Sequence, residues 1–194
     1  MINKPTHELV MSTLNVEQLK KEVLAVYDRF DEYSYRRTAP GSPHSEMTDL
    51  WVRFNDLSKQ QEGHMTDEHD SVWYPIADKL PALKDVVFNL MREVEGERLG
   101  GILITKLNPG GKIMPHIDTG WHASYYDKFF VPVLIKPEAT FGFIDGNIHA
   151  KEGEAWWFDN SQLHWVTNNT DSDRLAMIVC IRTEKYKDKN ARRI

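Results

Sequence analysis

The stretch that decides the fold is GGILITKLNPGGKIMPHID, residues 100–118. Its first half is apolar and β-branched, its centre is the turn-forming NPGG, and its second half returns to an extended pattern ending in His116-Ile117-Asp118. That order predicts two strands joined by a tight turn. In extended backbone, residues i and i+2 share a face, so His116 and Asp118 project together while Ile117 points the other way. A neutral imidazole and a carboxylate converging on one point can hold a divalent metal. The same triplet also fits an exposed loop pair, or a histidine steadied by its neighbour's carboxylate, and the rest of the chain has to decide.

Outward from that stretch, the chain from Arg98 on reads as short strands: RLGGILITKL, KIMPHID, KFFVPVLI, ATFGFI, NIHA, EAWWFD, LHWVTN and RLAMIVCIR. The Asp145-Gly146 dipeptide between two of them predicts a hairpin. The first half is more helical. Val16, Leu19, Val23, Val26, Tyr27 and Phe30 recur at helical spacing and predict a helix from Val16 to Tyr33, with Asn15 and Gln18 as a capping box. A second stripe, Leu83, Val86, Val87, Leu90 and Met91, predicts a helix over Leu83–Glu95. Between them TDLWVRFND alternates as a strand does, while TAPGSPHSE and KQQEGHMTDEHDSVWYP read as loops. The expected fold is mainly β with flanking helices, a sandwich or jelly roll buttressed by the N-terminal helices. It is expected as one domain over residues 1–194, with the β core at about 98–183, a helical extension over 1–97 and a basic tail over 184–194.

Composition narrows the function. With 41% hydrophobic and 27% charged residues, the 194-residue chain has the make-up of a globular protein. A net charge of −5 gives no general attraction to phosphate backbones, so polymeric nucleic acid is not an expected partner. The basic tail, with Lys185, Lys187, Lys189, Arg192 and Arg193, reads as a solvated end. One cysteine, Cys180, rules out an internal disulfide and a cysteine-based zinc site, and it suits a reducing compartment. No signal-peptide pattern or eighteen-residue apolar run is present, which predicts a cytoplasmic protein with no membrane partner.

Two further residues complete a set with His116 and Asp118. His164, in FDNSQLHWVTN, lies at a strand start, and Arg174 opens the last strand, where Arg174, Ala176, Ile178 and Cys180 share a face. A guanidinium among apolar companions requires an anion, and its planar fork suits a carboxylate. Two histidines and one carboxylate on one side of a metal leave positions open opposite, the facial triad of non-haem Fe(II) oxygenases. Those positions can take a chelating oxo-acid and then O₂.

The chain here resembles Fe(II)/2-oxoglutarate-dependent oxygenases of the aspartyl/asparaginyl β-hydroxylase-like group. The resemblance rests on residues 100–118 and on EGEAWWFDNSQLHWVTNNTDSDRLAMIVCIR, residues 152–182, and spans roughly Arg98 to Arg182. It implies a double-stranded β-helix and hydroxylation coupled to oxidative decarboxylation of 2-oxoglutarate, with ascorbate as an assay reductant. It implies that His116 and His164 bind iron, that Arg174 pairs with the far carboxylate of 2-oxoglutarate, and that Lys128 lies near its chelating end. Asp118 departs from the well-known β-hydroxylases of the group, which lack a carboxylate there, and agrees with the wider superfamily. The expected catalytic metal set is thus His116, Asp118 and His164, with Arg174 and Lys128 expected to bind the co-substrate.

Substrate contacts are expected from Trp51 and Arg53 on the DLWVRF strand, from His122 and from Tyr126, with Tyr125 and Tyr126 lining the pocket or a flap. Asp159 and Asn160 are candidates for orienting the imidazoles, or simply form a turn. His64 and His69 read as solvated loop residues, His149 as structural, and Trp156, Trp157 and Phe158 as packing. The leading expectation is hydroxylation of an amino-acid side chain, free or in a peptide. The alternatives are an oxygenase of a nucleobase or nucleotide, or a cupin-like module that binds metal or carboxylate without turnover.

Overall fold

A computed structural model describes residues 5–59 and 67–186. Among these residues eleven strands form two antiparallel sheets. In chain order they are β1 (His7–Met11), β2 (Met47–Phe54), β3 (Val72–Trp73), β4 (Gly96–Leu107), β5 (Lys112–His116), β6 (Asp127–Leu134), β7 (Ala139–Phe143), β8 (Gly146–Ile148), β9 (Ala155–Phe158), β10 (His164–Asn168) and β11 (Arg174–Thr183). The major sheet runs β1-β9-β6-β11-β4-β2-β3 and the minor sheet β5-β10-β7-β8. Two facing sheets of this make-up are a jelly roll, as the strand pattern predicts. The expected strands of residues 98–183 all form.

Period-2 patterning explains the layering. Along β11, Leu175, Met177, Val179 and Ile181 are wholly buried in the larger core. Ala176 and Ile178, on the opposite face, join a second cluster between the sheets with Phe130, Phe141, Phe143 and Phe158. The larger core lies on the outer face of the major sheet and is closed by two helices, α1 (Glu17–Ala25) and α3 (Pro81–Glu93). Pro81 sits at the first helical position, where its missing N–H costs nothing. Leu83, Val86, Val87 and Leu90 then form the buried stripe. Two shorter helices, α2 (Tyr35–Thr38) and α4 (Trp121–Tyr125), precede β2 and β6.

Several boundaries differ from the sequence expectation. The first helix stops at Ala25; a 3-10 turn follows at Tyr27–Arg29, and Asp31 takes a left-handed φ of 71°. Tyr33, at the end of the expected helix, stacks on Trp51 instead of continuing the helix, with centroids 5.6 Å apart. Tertiary contact thus outweighs helical periodicity. The capping box is half formed. Asn15 Oδ1 accepts the Glu17 N–H at 3.2 Å, but the Gln18 amide donates to Glu22 instead of reaching back. The predicted hairpin forms one residue early, because Phe143 pairs with Gly146 and leaves Ile144 and Asp145 as its central pair. β1 and α4 carry no strong period and were not expected. Of the basic tail, Lys187, Lys189, Arg192 and Arg193 lie outside the described residues, as does His64.

Candidate active site

His116 ends β5 and His164 begins β10, and the two are direct antiparallel partners. Register alone therefore brings two residues far apart in sequence side by side, with ring centroids 4.3 Å apart. Asp118 follows on the segment leaving β5, and its Oδ1 lies 3.6 Å from His116 Nε2. One ligand atom from each of the three lies within 4.8 Å of the others, the spread a single ion can span. Ile117, between the two, is 52% exposed.

The imidazoles are prepared for a metal. His116 Nδ1 lies 2.8 Å from the Met114 carbonyl oxygen, and His164 Nδ1 lies 2.8 Å from that of Gln162. A carbonyl only accepts, so each Nδ1 carries the proton and each Nε2 keeps its lone pair free for an ion. Burial pushes both pKa values down against the pull of Asp118, that of His164 to about 4, so both rings are neutral at physiological pH. Burial opposes ionisation of Asp118, but Lys128 and the two imidazoles outweigh it and hold the carboxyl well below the usual range. Lys128 Nζ donates to Asp118 Oδ2 at 2.6 Å.

Arg174 provides the second feature. It is 3% exposed, its Nε is buried without an acceptor, and its guanidinium lies 5.0 Å from the Phe130 ring centroid. Burial alone pushes its pKa down to about 10, so it keeps its charge at neutral pH. It lines a pocket beside His116, Asp118 and His164 whose walls include Ile113, Phe141 and Phe158. A buried cation with no anionic partner among the described residues fits a carboxylate ligand arriving from outside. The donor set and this orphaned guanidinium together fit Fe(II) with a chelating dicarboxylate.

A larger cavity of about 260 Å³ adjoins this pocket and shares His116, Asp118 and Lys128 with it. Trp51 and His122 line it, as expected of substrate contacts. Trp51 is only 1% exposed and belongs equally to the core. Arg53 and Tyr126 stand outside the lining. A register shift between Trp51 and Arg53 turns the arginine away, and it donates to the Gly100 carbonyl at 2.9 Å and stacks on Trp73. Tyr126 is fully buried behind His122, their centroids 4.7 Å apart. His69 is not a solvated loop residue: it stacks on His122 with an interplanar angle of 10°.

Sequence reasoning missed Arg36 and His44. His44 sits edge-on to His116 at 4.7 Å between centroids, and its Nε2 lies 3.2 Å from an Arg36 Nη that also lines the cavity. Arg36 donates to the buried Asp49 at 2.9 Å. The loop carrying His44 is docked on β5 by the Met114 N–H to Pro43 carbonyl bond, a contact that no local pattern announces.

A model of the aspartyl/asparaginyl β-hydroxylase family matches residues 13–183. No curated protein matches the chain in sequence. Among solved structures, the chain is similar to a Trichoplax adhaerens prolyl hydroxylase in complex with a peptide fragment of the hypoxia-inducible-factor oxygen degradation domain. Identity is 12%, coverage 97% of this chain and 88% of that one, and the TM-score 0.60. It is also similar to the viral collagen prolyl hydroxylase of Paramecium bursaria Chlorella virus-1 in its 2OG complex, with 12% identity, coverage of 93% and 98%, and a TM-score of 0.52. At these identities the likeness concerns the fold. The chain belongs to the aspartyl/asparaginyl β-hydroxylase family.

Proposed function

From that membership, we propose that the His116–Asp118–His164 cluster binds Fe(II) and that Arg174 anchors the distal carboxylate of 2-oxoglutarate. The chain is an Fe(II)- and 2-oxoglutarate-dependent oxygenase that hydroxylates an amino-acid side chain. The observation that carries the residue roles is the buried, unpaired Arg174 facing three convergent ligand atoms.

The iron, when bound, activates O₂ at the expense of 2-oxoglutarate for insertion of oxygen into a C–H bond. The chain's own residues do the rest. His116 and His164 present Nε2 lone pairs whose direction the Met114 and Gln162 carbonyls fix. Asp118 supplies the third donor and the negative charge that lowers the cost of holding a dication. Arg174 orients the oxo-acid end to end, with Phe141, Phe158 and Ile113 excluding water around it. Lys128 sits at the opposite, metal-proximal end, suited to the chelating carboxylate. The substrate side chain enters through the 260 Å³ cavity, between Tyr35, Phe54, Thr119 and His122.

That cavity admits an amino acid free or within a peptide. A peptide is the better-supported substrate, because the exposed Ile117 and Tyr35 line the entrance and offer apolar contact to flanking residues. Cytoplasmic residence belongs to the same proposal, supported by the single buried Cys180; among the described residues no helix is long and apolar enough to cross a membrane. We read residues 1–194 as one domain, supported by the way β11 contributes to both hydrophobic clusters.

The test is succinate release from 2-oxoglutarate by purified protein with Fe(II), ascorbate and O₂, with pooled amino acids and peptides. Turnover that vanishes in His116→Ala and Arg174→Ala is expected. Undiminished turnover in either variant would remove that residue from its role.

A further inference from the structure

Asp118 has two oxygens, and the structure treats them differently. Lys128 Nζ donates to Oδ2 at 2.6 Å, and the Asn160 side-chain amide donates to the same Oδ2 at 3.2 Å. Oδ1 lies instead on the His116 side, 3.6 Å from Nε2. The Asn160 amide is itself fixed, since its Nδ2 also donates to the Ala123 carbonyl at 3.1 Å. One N–H points at each acceptor, which determines the orientation of the amide. Asn160 is wholly buried, and its own carbonyl accepts the Asp118 N–H at 2.9 Å. A single residue thus grips Asp118 by backbone and side chain.

We propose that Asn160 is a positioning residue that, together with Lys128, holds Asp118 to one-oxygen coordination and so keeps a coordination position open on the metal. This inference rests on the proposed function. A six-coordinate ion with two imidazoles and one carboxylate oxygen has three places left. A chelating oxo-acid takes two of them and O₂ the third. A carboxylate chelating through both oxygens would occupy one of these places. Two donors on Oδ2 oppose that rotation, because chelation would require Oδ2 to exchange a charge-assisted bond and an amide bond for the metal. Asn160 is joined to its partner only by the fold, since it lies 42 residues after Asp118 and four before His164. Its role is therefore distinct from the imidazole orientation that the sequence suggested for it: the imidazoles are held by Met114 and Gln162 carbonyls.

The first experiment uses the wild-type protein loaded with Mn(II) and 2-oxoglutarate without O₂, its crystal structure read for the metal shell. Asp118 bound through Oδ1 alone, with Lys128 and Asn160 still on Oδ2, is the expected result. Metal on both histidines with both Asp118 oxygens, or with Oδ2 alone, would overturn the inference while leaving the proposed function standing. Metal absent from His116 and His164 would overturn both. The second experiment compares wild type with Asn160→Ala under anaerobic Fe(II), following the visible charge-transfer band of the iron–oxo-acid adduct. A rise of about tenfold in the apparent Kd for 2-oxoglutarate is expected, with Fe(II) affinity unchanged or tighter. A defect of packing alone would weaken both ligands together, and that pattern, or no change in either, would overturn the inference.

Discussion

The two faces of β11 divide the labour of this protein. On one, Leu175, Met177, Val179 and Ile181 are each wholly buried among α1, α3 and the major sheet. On the other, Arg174 lines the smaller pocket, Cys180 the larger cavity and Ile178 both, with Ala176 packed between the sheets. The first face is apolar, dense and without polar atoms to satisfy. The second holds a buried cation with no anionic partner among the described residues and lies opposite the convergent His116, Asp118 and His164. Alternation along one strand thus puts stability and chemistry a single residue apart. The unsatisfied polar face is stable only because the apolar face is so well packed.

That division can be broken by substitution. The largest effect should come from the site: His164→Ala removes one of the three proposed ligands and should lower metal affinity at least ~100-fold. The metal-free protein should keep its melting temperature within a few degrees. A collapse of the apo fold would show that the site face also carries stability. Next comes the opposite face. Trp157 is fully buried and stacks on Tyr186 with centroids 4.7 Å apart, so Trp157→Ala should cost about 3–5 kcal/mol in urea unfolding. Turnover per folded molecule should be unaffected.

Arg174→Met sharpens the contrast because it should move the two properties in opposite directions. Removing a buried unpaired charge for a side chain of similar length should leave the apo protein equally stable or about 1–2 kcal/mol more stable. The same change should raise the Kd for 2-oxoglutarate by about tenfold or more. Lower apo stability would mean that Arg174 has a partner within the fold. A smaller effect is expected at Gly142, where an added Cβ would lie 2.3 Å from Trp165 Cε2. Trp165 is half-buried and its ring can swing outward, so Gly142→Ala should cost about 1 kcal/mol and spare Fe(II) binding.

How much of this was legible in the sequence depends on the range of the interactions involved. The strands of residues 98–183 were readable because each carries its own period and each turn its own residues, as NPGG does between β4 and β5. His116 and Asp118 were readable as a pair because strand geometry is local. His164 and Arg174 could be added because both stand at strand starts and the arginine shares a face with apolar residues. Arg36 and His44 were not readable, since they arrive through a loop whose docking on Met114 is purely tertiary. Arg53 was misdirected for a related reason: a register shift after Trp51 breaks the alternation that would have turned it inward. The long first helix failed where aromatic packing, Tyr33 on Trp51, prevailed over spacing.

Cys180 offers the finest test of the two faces. It lies on the site side yet is buried, and burial pushes its thiol up from an ordinary value of 9.0 to about 11. At pH 8 the folded protein should therefore hold only about a thousandth of this thiol as the reactive thiolate, and that fraction is shielded from solvent. The contribution is fully present below pH 9, where the thiol is protonated folded or unfolded, and it is lost as pH rises from about 9 to about 11. Cys180→Ala should flatten that part of the urea-midpoint profile. Iodoacetamide at pH 8 should label the native protein far more slowly than the urea-unfolded chain. Rapid native labelling would show that solvent reaches Cys180 through the cavity it lines, and that burial does not hold this thiol protonated.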